Sequence, residues 1–396
     1  MLSNRWSILA LLFAVRTGMG IQYQIVAALS PLFMADFSLS IADLGLLIGL
    51  YHAPGTLLAF PGGRIAARLG DKRVVLIGLA LMIAGELVMA LGPSWSLQIG
   101  GRLVAGTGGI LLNVVMSKMV TDWFAGKETA TAMGIIGNAA PFGIAIALVA
   151  LPPLAEAGGR PAASGAIIGY LLVALLTLAV MYRPAPRTTA AASGQSLWPD
   201  RRTLRAVLAA GLIYGFYNVS LVTILGFGPL MLTGRGWTLA DASSTTSVVL
   251  WLMAASLPVG GFLADRTGRS NTVLLGGLVA FAGALALSSR VEAVLPAFIL
   301  LGIVSGLPCG AIMSLPARVL APETRAVGMG LFFTVYYFMN VAGPWFVGLV
   351  AKRAGSPQIA FDLGAIFLCL GCLVWGVFRQ LANGVVAQRE AKATAG

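Results

Sequence analysis

Four ionisable side chains stand inside apolar stretches of this 396-residue chain: Arg16, His52, Glu86 and Arg102. Each stretch is about 20 residues long, enough for a helix to cross roughly 30 Å of hydrocarbon. A charge at that depth costs a few kcal/mol on insertion scales, so such residues are candidates for function. Glu86 lies some two turns before the turn at Pro93 and Ser94, and Arg102 some two turns after it. An antiparallel hairpin brings the two to one depth. The simplest expectation is an ion pair; the alternative is a proton site whose carboxylate releases Arg102 when protonated.

With that pair neutral, Arg16 is the remaining positive charge. Gly20 and Tyr23 fall on its helical face, because steps of three or four residues return to one side, and the small residue leaves room for an anion beside the guanidinium. The other reading has Arg16 snorkelling or bonding backbone carbonyls. His52, the single histidine, shares a face with Gly45, Gly49 and Thr56. It suits a proton carrier or an anion donor near neutral pH, and equally a packed core residue. Asn113, three turns from Arg102, and Asn138 are open to the same two readings.

The second half of the chain carries no charge deep in an apolar stretch and instead clusters polar aromatics. Tyr214, Tyr217 and Asn218 share one helical face; Tyr336, Tyr337 and Asn340 precede Gly343 and Pro344; Trp251 stands in another stretch. Several lie nearer mid-span than the interfacial belt where tyrosines usually collect, which favours a cavity wall.

The elements that must hold these residues are helices. Of the residues 58% are apolar or aromatic and 10% are charged, against roughly 25% charged in a soluble domain. Mean hydropathy is +0.90. The alternating ten-residue strands of a membrane barrel are absent. Twelve spans are read at 7–34, 43–63, 74–92, 97–119, 131–153, 165–182, 204–232, 242–263, 272–289, 294–316, 326–350 and 361–380. The expected fold is therefore an all-α membrane protein, and the first span is expected to remain as a helix rather than be removed as a signal peptide.

The net charge of +12 is a topology signal. Nineteen of the 26 Lys and Arg residues fall on one set of alternate loops and termini, five on the other set, and Arg16 and Arg102 within spans. Basic loops stay cytoplasmic, so both termini are expected inside, in a bacterial inner membrane, and nucleic acid is not an expected partner. Cys309, Cys369 and Cys372 lie in apolar helices, where packing outweighs redox or metal chemistry. No phosphate-binding glycine loop of the ATPase type occurs, and no cofactor or metal is expected. Glycines 106, 108 and 109 read as close helix packing.

Two segments repeat. "GGRIAARLGDKR" (62–73) returns as "GGFLADRTGRS" (260–270), an offset of 198 that also relates, within a few residues, Gly106 to Gly306 and Lys118 to Arg318. "KETATAMG" (127–134) returns as "ETRAVGMG" (323–330). The chain reads as a duplication: 1–182 and 204–396 as six-helix bundles, joined by a Pro-, Ala-, Ser- and Arg-rich linker over 183–203.

On these residues the chain resembles the major facilitator superfamily over essentially its whole length. Gly261, Asp265, Arg266, Gly268 and Arg269 match that family's loop signature, and "RLVAGTG" (102–108) is similar to its fourth-helix motif. The resemblance implies two pseudo-symmetric bundles of six helices, alternating access, a monomer, and no enzymatic activity. It also implies a conformational latch in which the loop carboxylate sits near a helix N-terminus, where the dipole favours an anion. In the second copy this is Asp265, with Gly261, Arg266 and Arg269. The first copy, beginning at Gly63, has Ala67 at the corresponding position, and whether Asp71 replaces that acid is left open.

The leading functional expectation is transport of a small anion, a carboxylate or an inorganic oxyanion, coupled to protons or exchanged. It follows from the excess of buried positive charge. The segment from Ser30 to Val75 resembles, more loosely, the cyanate and nitrate carriers of the family. The alternative is proton-driven efflux of lipophilic compounds, which Ala140 weakens by standing where exporters carry glycine before Pro141.

Overall fold

A computed structural model describes residues 4–58, 69–124, 129–184, 198–321 and 324–394. Among them, eleven helices are long and apolar enough to cross a membrane. One of these, Ile135–Met181, has 47 residues, which at 1.5 Å per residue is about twice the thickness of a bilayer core. It cannot be one crossing. Gly158 and Gly159 leave helical geometry, with Gly159 at a φ of 69°, and Pro161 follows, so the fifth and sixth crossings meet there.

The remaining crossings are single or broken helices. The first is Arg5–Ala28 continued by Ser30–Phe37 and the second Ile41–Leu50 continued by Ala53–Leu58. Asp71–Leu91 and Trp95–Trp123 are the third and fourth. The seventh to ninth are Arg201–Thr233, Leu239–Thr267 and Ser270–Ser288. The tenth is Val294–Ser305 followed by the short helices Cys309–Met313 and Leu315–Val319, and the last two are Arg325–Ala354 and Ile359–Thr394. Each break has a proline at or just after it: Pro31, Pro54 and Pro308. Proline lacks the N–H that would bond four residues back and its ring crowds that carbonyl. Broken helices at membrane depth are tolerated where other protein groups take up the freed carbonyls.

Side chains on the outer surface are apolar, as hydrocarbon requires: Leu57, Val173, Leu373 and Val279 are among the most exposed. The two repeated turns share an unusual backbone. Gly70 has φ +87° and Gly268 φ +64°, positions 198 apart in sequence, and only glycine enters that region without a Cβ penalty. The duplication is thus written into backbone geometry as well as into residues.

Contacts divide the chain into two compact units. One comprises Met1–Ala190, Leu225–Trp251 and Val341–Pro357; the other comprises Ala191–Ile224, Leu252–Asn340 and Gln358–Gly396. The first unit therefore holds the first six crossings together with parts of the seventh, eighth and eleventh. The contacts that recruit those parts are close. Gln24 donates to the Leu225 carbonyl at 2.8 Å and Ser243 to the Ala28 carbonyl at 3.3 Å. A methyl group at Gly45 would collide with the Pro344 carbonyl, and one at Gly348 would press on the Ile41 carbonyl.

Candidate functional site

The deepest polar cluster lies in the first unit, and glycines bring its helices together. A Cβ at Gly85 would lie 2.5 Å from the Ala105 nitrogen, and one at Gly106 would strike the Tyr51 carbonyl. The third helix thereby packs on the fourth, and the fourth on the second. Gly20 and Gly143 make the same kind of approach between the first and fifth helices, to the Ala140 and Thr17 carbonyls. Close backbone approach through small residues is how membrane helices associate without a hydrophobic driving force.

Arg102, fully buried, spends its guanidinium on backbone. Its Nε donates to the Leu47 carbonyl at 3.0 Å, Nη1 to the Gln22 carbonyl at 3.2 Å and Nη2 to the Tyr23 carbonyl at 2.6 Å. The Leu47 carbonyl is within reach because the second helix breaks after Leu50, where the His52 N–H turns back to Gly49. The guanidinium also lies 4.8 Å from the Tyr51 ring centroid and 5.5 Å from that of Tyr23, where the ring quadrupole attracts a cation.

Glu86, also fully buried, accepts from Gln22 Nε2 at 3.2 Å and from Ser164 Oγ at 2.9 Å. The expected ion pair between Glu86 and Arg102 is absent from the salt bridges of the described residues. The two do lie at one depth, yet Gln22 stands between them: its side chain bonds Glu86 and the Met82 carbonyl, and its own carbonyl takes Arg102. A neutral amide thus couples the charges without contact between them. His52 packs its ring 4.8 Å from Tyr23 and 6.0 Å from Tyr51 and is nearly buried.

Of the residues singled out from the sequence, the structure joins Tyr23, His52, Glu86 and Arg102 into this cluster. Arg16 lies two turns before Tyr23, partly buried and interacting with neighbouring groups, and Asn113 is likewise partly buried and engaged. Gln22, Tyr51 and Ser164 were not singled out from the sequence. The signal for Gln22 was present in "GIQYQIV" (20–26), where two glutamines flank a tyrosine in an otherwise apolar run.

The aromatic cluster belongs to the second unit. Tyr214 stacks on Tyr336 with centroids 4.9 Å apart and on Phe332 at 5.3 Å, while Tyr337 meets Tyr336 edge-on. Tyr217 donates to the Ser305 carbonyl at 2.9 Å, at the break in the tenth helix. Asn218 and Asn340 donate to the Tyr214 and Tyr336 carbonyls at 2.8 and 2.9 Å. Trp251, expected to line the same wall, is placed in the first unit, its ring 5.4 Å from Phe142.

Of the latch residues, Gly63 lies outside the described residues, as does Ala67, and of Asp265 only the backbone is described. Gly261 has open space around it, Arg266 lies 5.6 Å from the Phe262 ring and Arg269 precedes the ninth helix. Asp71 opens the third helix and bonds Lys118 at 2.6 Å; Lys118 also reaches Asp122 at 2.9 Å. In the repeat, Arg318 bonds Asn271 and Ser270 at the start of the ninth helix, at 2.6 and 2.8 Å. Asp71 therefore docks the fourth helix on the third, as the start of the ninth helix receives the tenth.

Comparisons with known proteins agree with this architecture. The Major Facilitator Superfamily model matches residues 8–245 and again 208–394. The human lysosomal dipeptide transporter MFSD1 is 26% identical over 293 residues, covering 68% of this chain and 63% of that protein. The hexuronate transporter of Bacillus subtilis (strain 168) is 24% identical over 261 residues, covering 62% of this chain and 61% of its own length. The chain thus spans about three fifths of these relatives. An uncharacterized MFS-type transporter of Mycobacterium tuberculosis is 24% identical over 379 residues, covering 92% of this chain and 83% of the relative. Among solved structures, a bacterial homolog of the human lysosomal transporter Spinster, inward-facing and unoccupied, superposes with a TM-score of 0.79 at 16% identity, over 96% of this chain and 98% of that one. With a family model matching both halves and eleven helices of spanning length among the described residues, this chain belongs to the Major Facilitator Superfamily and is a multi-pass membrane protein.

Proposed function

We propose that this transporter moves a small carboxylate-bearing or oxyanionic solute by alternating access, the mechanism of two-repeat carriers, with Glu86 carrying a coupling proton. The observation that supports it is the charge balance of the first six crossings. Two guanidiniums, Arg16 and Arg102, stand there against one fully buried carboxylate, and that carboxylate is held by the neutral donors Gln22 and Ser164. Protonating Glu86 breaks no ion pair, and it leaves the unit more positive when a negative solute arrives. The hexuronate carrier among the relatives transports an anion by name, and the looser likeness to cyanate and nitrate carriers points the same way. The basic loops and both termini are proposed to face the cytoplasm.

The test is flux into proteoliposomes under an imposed pH gradient. The wild type should accumulate labelled D-galacturonate, L-alanyl-L-alanine or nitrate, and Glu86→Gln should keep exchange of that solute while losing pH-driven accumulation. Full accumulation by the variant would remove Glu86 from coupling. Failure of the wild type to move any of the three would remove the anion reading.

A further inference from the structure

We infer that the cavity where the turn between the eighth and ninth crossings meets the end of the tenth binds a phosphate monoester, carried by a membrane lipid or free in solution. The site is independent of the transported solute.

The cavity, about 510 Å³, is lined by Gly268, Arg269, Ser270, Asn271, Thr272 and Arg318. Arg318 donates to Asn271 Oδ1 at 2.6 Å and to the hydroxyls of Ser270 and Ser314 at 2.8 and 3.5 Å. All three partners are neutral. A guanidinium has five N–H donors, so two are left over, together with the whole charge. Neither Arg318 nor Arg269 forms a salt bridge among the described residues.

The first copy of the turn shows what the second lacks. Lys118 and Arg318 stand 200 residues apart, and so do Asp71 and Asn271. Lys118 is held by two carboxylates, Asp71 at 2.6 Å and Asp122 at 2.9 Å. In the second copy an amide stands for the first acid, Pro322 falls at the place of the other, and Leu69 gives way to Arg269. Two acids around one cation have become two cations lining one cavity. Like charges so placed repel unless an anion lies between them.

The donors select the anion. A phosphate monoester carries a charge close to −2 and three acceptor oxygens, which match two guanidinium forks and the hydroxyls of Ser270 and Thr272. A carboxylate or a phosphate diester offers two free oxygens and a single charge. No side chain caps the ninth helix, so its first N–H groups are left for the same ligand.

The experiment is native mass spectrometry of the full chain in detergent, titrated with phosphatidic acid, phosphatidylglycerol or sn-glycerol 3-phosphate. The wild type is expected to bind phosphatidic acid, sn-glycerol 3-phosphate or both roughly tenfold more tightly than the diester phosphatidylglycerol, and Arg269→Gln to lose about as much, the scale of one charge-assisted hydrogen bond. Asn271→Asp returns to the second copy the acid of the first. It is expected to abolish binding with no fall in the thermal midpoint, so loss of the site is told apart from loss of the fold. Phosphatidic acid alone names a lipid headgroup, and sn-glycerol 3-phosphate binding names a soluble ester; either supports the site. Equal affinity for phosphatidylglycerol, or unchanged affinity in both variants, overturns it. Binding that is absent from the wild type and gained by Asp265→Asn also overturns it, because the acid of the turn would then be the occupant.

Discussion

A buried guanidinium is expensive unless every N–H finds a partner and the site stays dry. Each nitrogen of Arg102 donates to a carbonyl, the three carbonyls coming from two helices, and the guanidinium lies against two tyrosine rings, so it acts as a staple between the first, second and fourth helices. Its planar fork is what matches carbonyls on both. Lysine offers a compact point charge in its place. Arg102→Lys is expected to lower stability by about 2 kcal/mol, the scale of one lost charge-assisted hydrogen bond, read as a fall in the thermal midpoint of the detergent-solubilised protein. An unchanged midpoint would show that the fork geometry is dispensable. Glu86, by contrast, tolerates either protonation state, since the Ser164 hydroxyl beside Oε1 can donate or accept while Gln22 Nε2 goes on donating to Oε2. That difference is why we propose coupling for the acid and anchoring for the base.

At the scale of elements, two helix ends have separable chemistry. The seventh helix is started by Asp200, which takes the Thr203 hydroxyl and the N–H groups of Arg202 and Thr203. These bonds, the Thr203 hydroxyl first, hold its carboxyl below the usual carboxylate range. The sign follows: the cap contributes fully above the acid's unfolded pKa and is lost as pH falls through the depressed folded value. Asp200→Ala is expected to cost about 1 kcal/mol near neutral pH and less in acid, a difference that thermal melts at several pH values would show. Gly45 is the other case, because its approach to the Pro344 carbonyl leaves no room for a methyl. Gly45→Val should separate the second helix from the eleventh at the end away from the basic loops. The variant is expected to label faster than wild type at a cysteine introduced at Ile41, and equal labelling rates would refute the contact.

For the whole molecule, the testable quantity is sidedness. Loops rich in Lys and Arg resist translocation, so alternate loops should lie on opposite sides of the membrane. In a background lacking Cys309, Cys369 and Cys372, Thr267→Cys is expected to be protected from impermeant maleimide in intact cells, and Trp237→Cys is expected to react. Reversed reactivity would invert the topology. Both positions are exposed at loop ends of the eighth helix, so accessibility would report the side of the membrane and not burial.

What the sequence by itself determined is whatever depends on local composition. Apolar runs of spanning length, the asymmetry of basic loops and a turn repeated at an offset of 198 are all read along the chain, and solvation by lipid leaves them few alternatives to helices. The glycines at 70 and 268 belong here too, since a residue without a Cβ marks a positive φ wherever it is needed. Tertiary structure alone decided partners. Glu86 and Arg102 share a depth, as the hairpin spacing required, but depth does not choose between an acid and a row of carbonyls. That choice turned on the break in the second helix after Leu50, which leaves the Leu47 carbonyl to Arg102, and on Gln22, an uncharged residue whose weight appears only when three helices close around it. It also decided that Trp251 faces Phe142, because side-chain partners depend on how helices rotate against one another, which no single span encodes.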